Sequence, residues 1–139
     1  MATAPTSSAP LVLLAESAHA EHHHAEMLTR AGFRVVRLTV HEVTPALVRD
    51  VKPAIIAMEF DGSQPSDGLD LAPRLRADAR PRAIPVPVIV YGHGLSAPDI
   101  QRAATGGAMW VQLEPSDGAK LVAAIRGVLA ASGITAKQP

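Results

Sequence analysis

The sequence contains no cysteine, and its positive and negative charges balance. The absence of cysteine excludes disulfides, thiolate nucleophiles and cysteine-ligated metal sites. Thirteen Lys and Arg match thirteen Asp and Glu, so no overall electric field attracts the chain to nucleic acid or to anionic lipid. The apolar run at 11–15 is too short for a signal-peptide core or a membrane span. We therefore expect a cytoplasmic protein with neither a nucleic-acid nor a membrane partner.

A length of 139 residues and a hydrophobic content of 47% suit one domain with its own core. Residues 1–10 and 132–139 lack apolar periodicity, so we expect them to be disordered tails. The predicted folded domain is therefore 11–131.

Five short apolar runs within this domain predict five strands. They are 11–15, 33–38, 54–58, 86–91 and 109–113. Most of them are apolar at successive positions, which is typical of parallel strands with helices on both faces.

Amphipathic stretches between the strands predict five helices. These run from Ser17 to Ala31, from Thr44-Pro45 to near Asp50, over 68–78, over 98–105, and from Ser116 to the end of the domain. Five repeats of strand and helix predict an α/β fold with a doubly wound parallel sheet. The crevice of such a fold lies at the carboxyl ends of the strands.

Five short sequence segments, in this order and spacing, resemble the receiver domain of bacterial response regulators. They are 52–58 before and in the third strand, 66–71 at the third helix, 86–90 in the fourth strand, Gly107-Ala108, and Glu114-Pro115. The resemblance covers nearly the whole folded region. It implies a flavodoxin-like sheet of order 2-1-3-4-5 and a place in two-component signal transduction or a phosphorelay.

Receivers transfer a phosphoryl group to an aspartate that ends the third strand, with Mg²⁺ held by this residue and by an acidic pair after the first strand. A hydroxyl residue and a lysine hold the phosphoryl oxygens. By resemblance, the corresponding positions here are Ala15 and Glu16 for the acidic pair, Glu59 for the acceptor, Gly92 for the hydroxyl and Glu114 for the lysine. None matches the family pattern.

These replacements argue against phosphorylation. The extra methylene of Glu59 moves its carboxylate by ~1.5 Å, and in-line transfer tolerates little misplacement. Gly92 has no hydroxyl, and Glu114 reverses the charge needed to hold a phosphate. The loop after Glu59 is about one residue longer than the family norm, so Asp61 is the alternative acceptor, although Asp61-Gly62 is also an ordinary turn dipeptide.

Convergence of Glu16, Glu59 and Glu114 would place like charges together. Two carboxylates ~6 Å apart repel by ~3 kcal/mol at an effective dielectric constant of about 20. We expect one side chain to turn to water, with no cofactor; a weak Mg²⁺ or Ca²⁺ site at Glu16 and Glu59 is the alternative. Glu59 could also imitate an acyl phosphate.

Two other clusters favour solvated surfaces. His19, His22, His23 and Glu26 share a helical spacing suited to a metal, but we expect a solvated face with His24 near the core edge. Arginines at 74, 76, 80 and 82 lie around a helix end, where cations are favoured without nucleic acid.

Trp110 and Val111 on the fifth strand are candidate interface residues. The resemblance implies contact with a partner signalling protein, or homodimerisation, through the face of the fourth helix, fifth strand and fifth helix. We interpret the chain as an atypical pseudo-receiver that signals by protein contact without phosphorylation and without enzymatic activity. The alternative is a small-ligand or metabolite sensor that uses the altered crevice.

Overall fold

A five-stranded parallel sheet of order β2-β1-β3-β4-β5 forms the centre of the molecule in a computed structural model. The structure describes residues 9–16, 24–39, 42–60, 86–92, 97–98, 100–101, 108–112 and 118–131, without the side chains of Phe60, Trp110 and Gln112. The strands are β1 (Leu11–Glu16), β2 (Arg34–Thr39), β3 (Ile55–Phe60), β4 (Val88–Gly92) and β5 (Met109–Gln112). The predicted strand order is confirmed.

Three helices are described: α1 (His24–Arg30), α2 (Pro45–Val51) and α3 (Gly118–Ala131). The third predicted helix, 68–78, lies outside the described residues. Of the fourth, residues 97–98 and 100–101 are helical. The last predicted helix is α3.

The sheet is buried on both faces because successive strand residues point to opposite sides. Val12 and Leu14 of β1 pack in one cluster with Leu28 of α1 and Leu121 of α3. Leu13 and Ala15 pack in a second cluster with residues such as Val48 of α2. We call these two sides of the sheet the α1/α3 face and the α2 face. The apolar run of β1 therefore reflects burial on both sides.

Local signals explain where the short helices begin and end. The Thr44 hydroxyl accepts a hydrogen bond from the Leu47 amide and caps α2, and Pro45 occupies its first turn. Gly32 follows α1 with φ of 100°, a backbone conformation that side chains disfavour. Both signals were predicted from the sequence.

Several boundaries differ from the prediction, including those of β2 (Arg34–Thr39) and β4 (Val88–Gly92), which are shifted by one or two residues. Ala9 and Pro10, assigned above to the N-terminal tail, are buried, and their carbonyls accept hydrogen bonds from the side chain and backbone of Arg34. β3 extends beyond the apolar run to Phe60 because its parallel pairing with β4 continues through Glu59 and Phe60. No helix among the described residues is long and apolar enough to cross a membrane.

Replacing Gly32 by Ala should lower the free energy of unfolding by about 1–2 kcal/mol, because a residue with a Cβ resists positive φ. Apart from its chain neighbours, no heavy atom of the described residues lies within 4 Å of a Cβ built there, so the expected cost comes from the backbone. Gly127→Ala, within α3 and also in open space, is the matched control and should raise stability by about 1 kcal/mol. Urea unfolding measures both, and changes of the same sign would contradict this explanation.

Candidate functional site

Four of the predicted site positions meet at one edge of the sheet. All strands run parallel, so their carboxyl ends lie together, and Ala15 of β1 pairs with Met58 of β3. Glu59 of β3 pairs with Tyr91, and Phe60 pairs with Gly92. Ala15, Glu16, Glu59 and Gly92 therefore share this edge. Asp61 and Glu114 lie outside the described residues.

Strand alternation assigns Glu16, Glu59 and Tyr91 to the same side of three neighbouring strands. Each follows, at steps of two, residues that pack on the α1/α3 face: Leu14 precedes Glu16, and Ala57 precedes Glu59. Tyr91 itself belongs to that cluster. We call these three residues the polar row.

The Glu16 carboxylate is buried and held by an arginine. Its side chain is 2% exposed, and its Oε1 accepts a hydrogen bond from Nε of Arg37. Arg37 lies in β2, the neighbouring edge strand, and its side chain is 54% exposed. A buried carboxylate is costly unless a charge and hydrogen bonds compensate it, and the guanidinium meets both needs while remaining partly hydrated.

His24 covers the polar row from α1. It is buried, and its Nδ1 lies 3.9 Å from Oε2 of Glu16. Its ring meets Tyr91 edge to face, with centroids 5.4 Å apart. The first residue of α3, Gly118, approaches closely, since a Cβ there would lie 3.4 Å from Cδ2 of His24. The two helices therefore cover the row at Glu16 and Tyr91, whereas Glu59 is partly exposed.

Tyr91 carries a buried hydroxyl that has no hydrogen-bond partner among the described residues. Burial, and then the negative charges of Glu16 and Glu59, raise the pKa of Tyr91 far above its ordinary value, while Arg37 opposes them. The phenol stays neutral, and both carboxylates act on it electrostatically.

These residues do not fit a Mg²⁺ ion of the kind that receivers use. Ala15 offers a methyl group where an acidic ligand would be needed, and Glu16 is engaged by Arg37. No group of three or more potential ligands that could hold a metal occurs in the part of the chain that is described.

Charge repulsion was expected to turn one of the three carboxylates, Glu16, Glu59 or Glu114, to water. Glu16 is not that side chain, because it is buried and Arg37 neutralises it within the protein. Sequence reasoning missed both Arg37 and Tyr91. The available signal was the position of Arg37 two residues after Val35 in β2, because strand alternation assigns both side chains to the same face.

The remaining candidates are placed as follows. His19, His22 and His23 lie outside the described residues, and Glu26 pairs with Arg30 at 2.5 Å on the surface. His24, which we expected near the edge of the core, is buried, with 3% of its surface exposed. Trp110 lies in the outermost strand β5, where its backbone pairs with Val90 of β4. The side chain of Trp110 is not described. Val111 packs partly against the α1/α3-face cluster, whereas Met109 is exposed.

Solved structures share this architecture over most of the chain. The signal receiver domain of a modulated diguanylate cyclase from Desulfovibrio desulfuricans is 19% identical with a TM-score of 0.70, covering 90% of this chain and 97% of that domain. A Francisella response-regulator receiver domain is 18% identical with a TM-score of 0.70, covering 88% and 98% respectively. The chain has the receiver-domain fold.

A two-component response regulator of the LuxR family from an Aurantimonas species reaches 23% identity and a TM-score of 0.63, covering 94% of this chain and 91% of that one. At such identities the likeness establishes the fold. No protein-family model and no curated protein sequence matches the chain.

Tyr91 should not ionise in the folded protein as the pH rises past 10. It is the single tyrosine, so the ultraviolet absorbance of tyrosinate reports on it alone. The unfolded chain loses this proton near its ordinary pKa of 10.0, whereas the folded one retains it. Tyr91 therefore contributes no pH dependence well below pH 10, and its stabilising contribution is lost as the pH rises above that value, by about 1.4 kcal/mol per pH unit.

Urea unfolding from pH 8 to 11, with Tyr91→Phe as the control that lacks this slope, measures the effect. A tyrosinate band that develops at pH 10 before unfolding would contradict the burial of the hydroxyl.

Proposed function

We propose that this chain is a pseudo-receiver: a protein with the receiver fold that acts in signal transduction by protein contact, independently of phosphorylation and without enzymatic activity. The observation that carries the proposal is the contact between Arg37 and the buried carboxylate of Glu16. In a phosphorylatable receiver, that end of β1 supplies a carboxylate to a divalent cation. Here the carboxylate is already neutralised by the chain.

The chemistry of phosphoryl transfer supports this proposal. The incoming group gathers negative charge, which a cation at the acceptor must offset. The polar row instead presents Glu59 beside the neutral phenol of Tyr91, and the positive charge of Arg37 is committed to Glu16. A phosphoryl group would gain little stabilisation from the described residues at this edge.

The neighbouring positions support the proposal independently. Ala15 is fully buried on the α2 face and has no ligand atom. Gly92 ends β4, also buried, and supplies no hydroxyl to a phosphoryl oxygen. The described strand ends therefore lack an acidic metal ligand at position 15 and a hydroxyl at position 92, and this holds independently of the role of Glu59.

Incubation with acetyl phosphate and Mg²⁺, followed by intact-protein mass spectrometry, tests the proposal. We expect no phosphoryl adduct on the wild-type chain. The matched control combines Ala15→Asp, Glu59→Asp, Gly92→Thr and Glu114→Lys, which restores the residue types of the family and should gain labelling. Stoichiometric modification of the wild type at Glu59 or Asp61 would refute phosphorylation independence.

For the contact itself, we propose the face that includes β5. β5 is the outermost strand of the sheet on the side away from β2, so one side of its backbone has no neighbouring strand among the described residues. Its Met109 is 49% exposed, the largest exposed fraction among the large hydrophobic side chains described. An apolar side chain on an open strand edge suits a contact with a second copy or with a partner signalling protein.

Met109→Lys should weaken self-association at least tenfold by placing a charge in this contact. Met27→Lys is the matched control, because Met27 is also a partly exposed methionine, at 36%, but lies on α1. Sedimentation velocity over a concentration series measures both variants. A wild type that stays monomeric, or equal weakening by both variants, would contradict dimerisation through β5.

A further inference from the structure

We propose that Met27 is a reversible oxidation site, and that its conversion to methionine sulfoxide by a peroxide loosens the contact between α1 and α3. The sequence has no cysteine, so oxidant sensing by a thiol is excluded. Methionine is the other side chain whose oxidation cells reverse enzymatically. Peroxide chemistry at Met27 is independent of phosphoryl acceptance at the sheet edge.

Three of the four methionines are described, and they differ in their access to solvent. Met58 packs in the α2-face cluster with 1% of its surface exposed, which protects it from a dissolved oxidant. Met27 and Met109 are 36% and 49% exposed. Met109 lies on the outermost strand β5, whereas Met27 lies on α1.

The sulfur of Met27 packs on Gly118, the first residue of α3. A Cβ built on Gly118 would overlap Sδ of Met27 and would lie 3.3 Å from its Cγ, so the thioether fills the space that a side chain at position 118 would need. Gly118 is buried, and the same Cβ would lie 3.4 Å from Cδ2 of His24. Met27 therefore combines solvent access with a close contact between two helices.

The oxidation is a two-electron transfer of one oxygen atom. A sulfur lone pair attacks one oxygen of hydrogen peroxide, and an S–O bond forms as the O–O bond breaks. The released hydroxide takes the proton of the transferred oxygen and leaves as water, so sulfur is oxidised and peroxide is reduced. A thiol-dependent sulfoxide reductase reverses the change: the oxygen leaves as water while two thiols become a disulfide.

A sulfoxide does not suit this contact. The added oxygen enlarges the group that packs on Gly118 and gives an apolar thioether a strong dipole. Overfilling a close contact and burying an unpaired polar oxygen both cost free energy, so we expect Met27 to withdraw from Gly118. His24 shares the contact and meets Tyr91 edge to face. Withdrawal should therefore also open the cover over the Tyr91 ring.

Other contacts between α1 and α3 do not involve the thioether. Arg126 of α3 donates a hydrogen bond from Nη2 to the carbonyl of Ala31, just after α1, at 3.1 Å. Leu28 of α1 packs in one cluster with Leu121 of α3. Oxidation should therefore loosen the contact at the start of α3 and leave the domain folded.

The test is peroxide treatment of the full chain carrying Met109→Leu, which removes the other exposed methionine described. Peptide mass spectrometry locates the added oxygen, and we expect it on Met27. The melting temperature should fall by roughly 3–8 °C, and amide hydrogens of α1 and of the first turn of α3 should exchange about tenfold faster. Tyr91, the single tyrosine, should ionise at a lower pH than in the untreated protein, because burial is what raises its pKa.

Met27→Leu in the same Met109→Leu background is the matched control, because leucine has a similar volume and no sulfur. Its melting temperature and amide exchange should not respond to peroxide. Treatment of the oxidised Met109→Leu protein with thiol-dependent reductases for both sulfoxide epimers should restore its original melting temperature.

Resistance of Met27 to a peroxide concentration that oxidises Met109 in the wild type would overturn the proposal. An unchanged melting temperature after oxidation of Met27, or an equal loss in the Met27→Leu control, would overturn it as well. If Met27→Leu does not fold, the reductases decide the outcome. Recovery of the melting temperature as the oxygen leaves Met27 supports the proposal, and failure to recover overturns it.

Discussion

The hydrogen-bonded ion pair between Arg37 and Glu16 is the interaction on which the character of the sheet edge depends. A carboxylate with 2% exposure is stable only with a compensating charge. The guanidinium comes from the adjacent strand and keeps half of its surface in water, so its own desolvation is limited. His24 lies beside the buried Glu16 carboxylate and contacts the ring of Tyr91, so it covers part of the α1/α3 face near the carboxyl ends of the strands.

The sheet provides the frame for this arrangement. Parallel pairing brings the ends of β1, β3 and β4 to one edge, and strand alternation assigns Glu16, Glu59 and Tyr91 to one face. The packing of α1 and α3 determines how much of the α1/α3 face is exposed to solvent. Since α1 contributes His24 and α3 begins with Gly118 in close contact with it, Glu16 and Tyr91 are buried, whereas Glu59 is partly exposed. Neutral Tyr91 is the electrostatic consequence of that burial.

The proposed pseudo-receiver differs from a phosphoryl acceptor in how the negative charge of Glu16 is balanced. A bound metal ion can come and go, and an acyl phosphate can form and hydrolyse, so the charge at the edge varies. An arginine in a paired strand is permanent, so the charge balance at Glu16 does not change. Under the proposed pseudo-receiver function, this permanence suits a protein that presents one surface constantly.

Local patterns in the sequence were sufficient for much of the fold. Continuous apolar runs indicated strands buried on both faces, Thr44-Pro45 marked the start of α2, and Gly32 marked the end of α1. The resemblance to receiver domains pointed to Ala15, Glu16, Glu59 and Gly92, and these lie at one edge because parallel strands end together. What only the tertiary structure decided was the pairing of charges. Arg37 lies 21 residues from Glu16, and their contact depends on the register of two strands, while the burial of His24 and Tyr91 depends on how two helices pack. Hydrophobic periodicity depends on residues close together in the sequence. The partner that compensates a buried charge comes from a distant part of the chain, and only folding brings the two together.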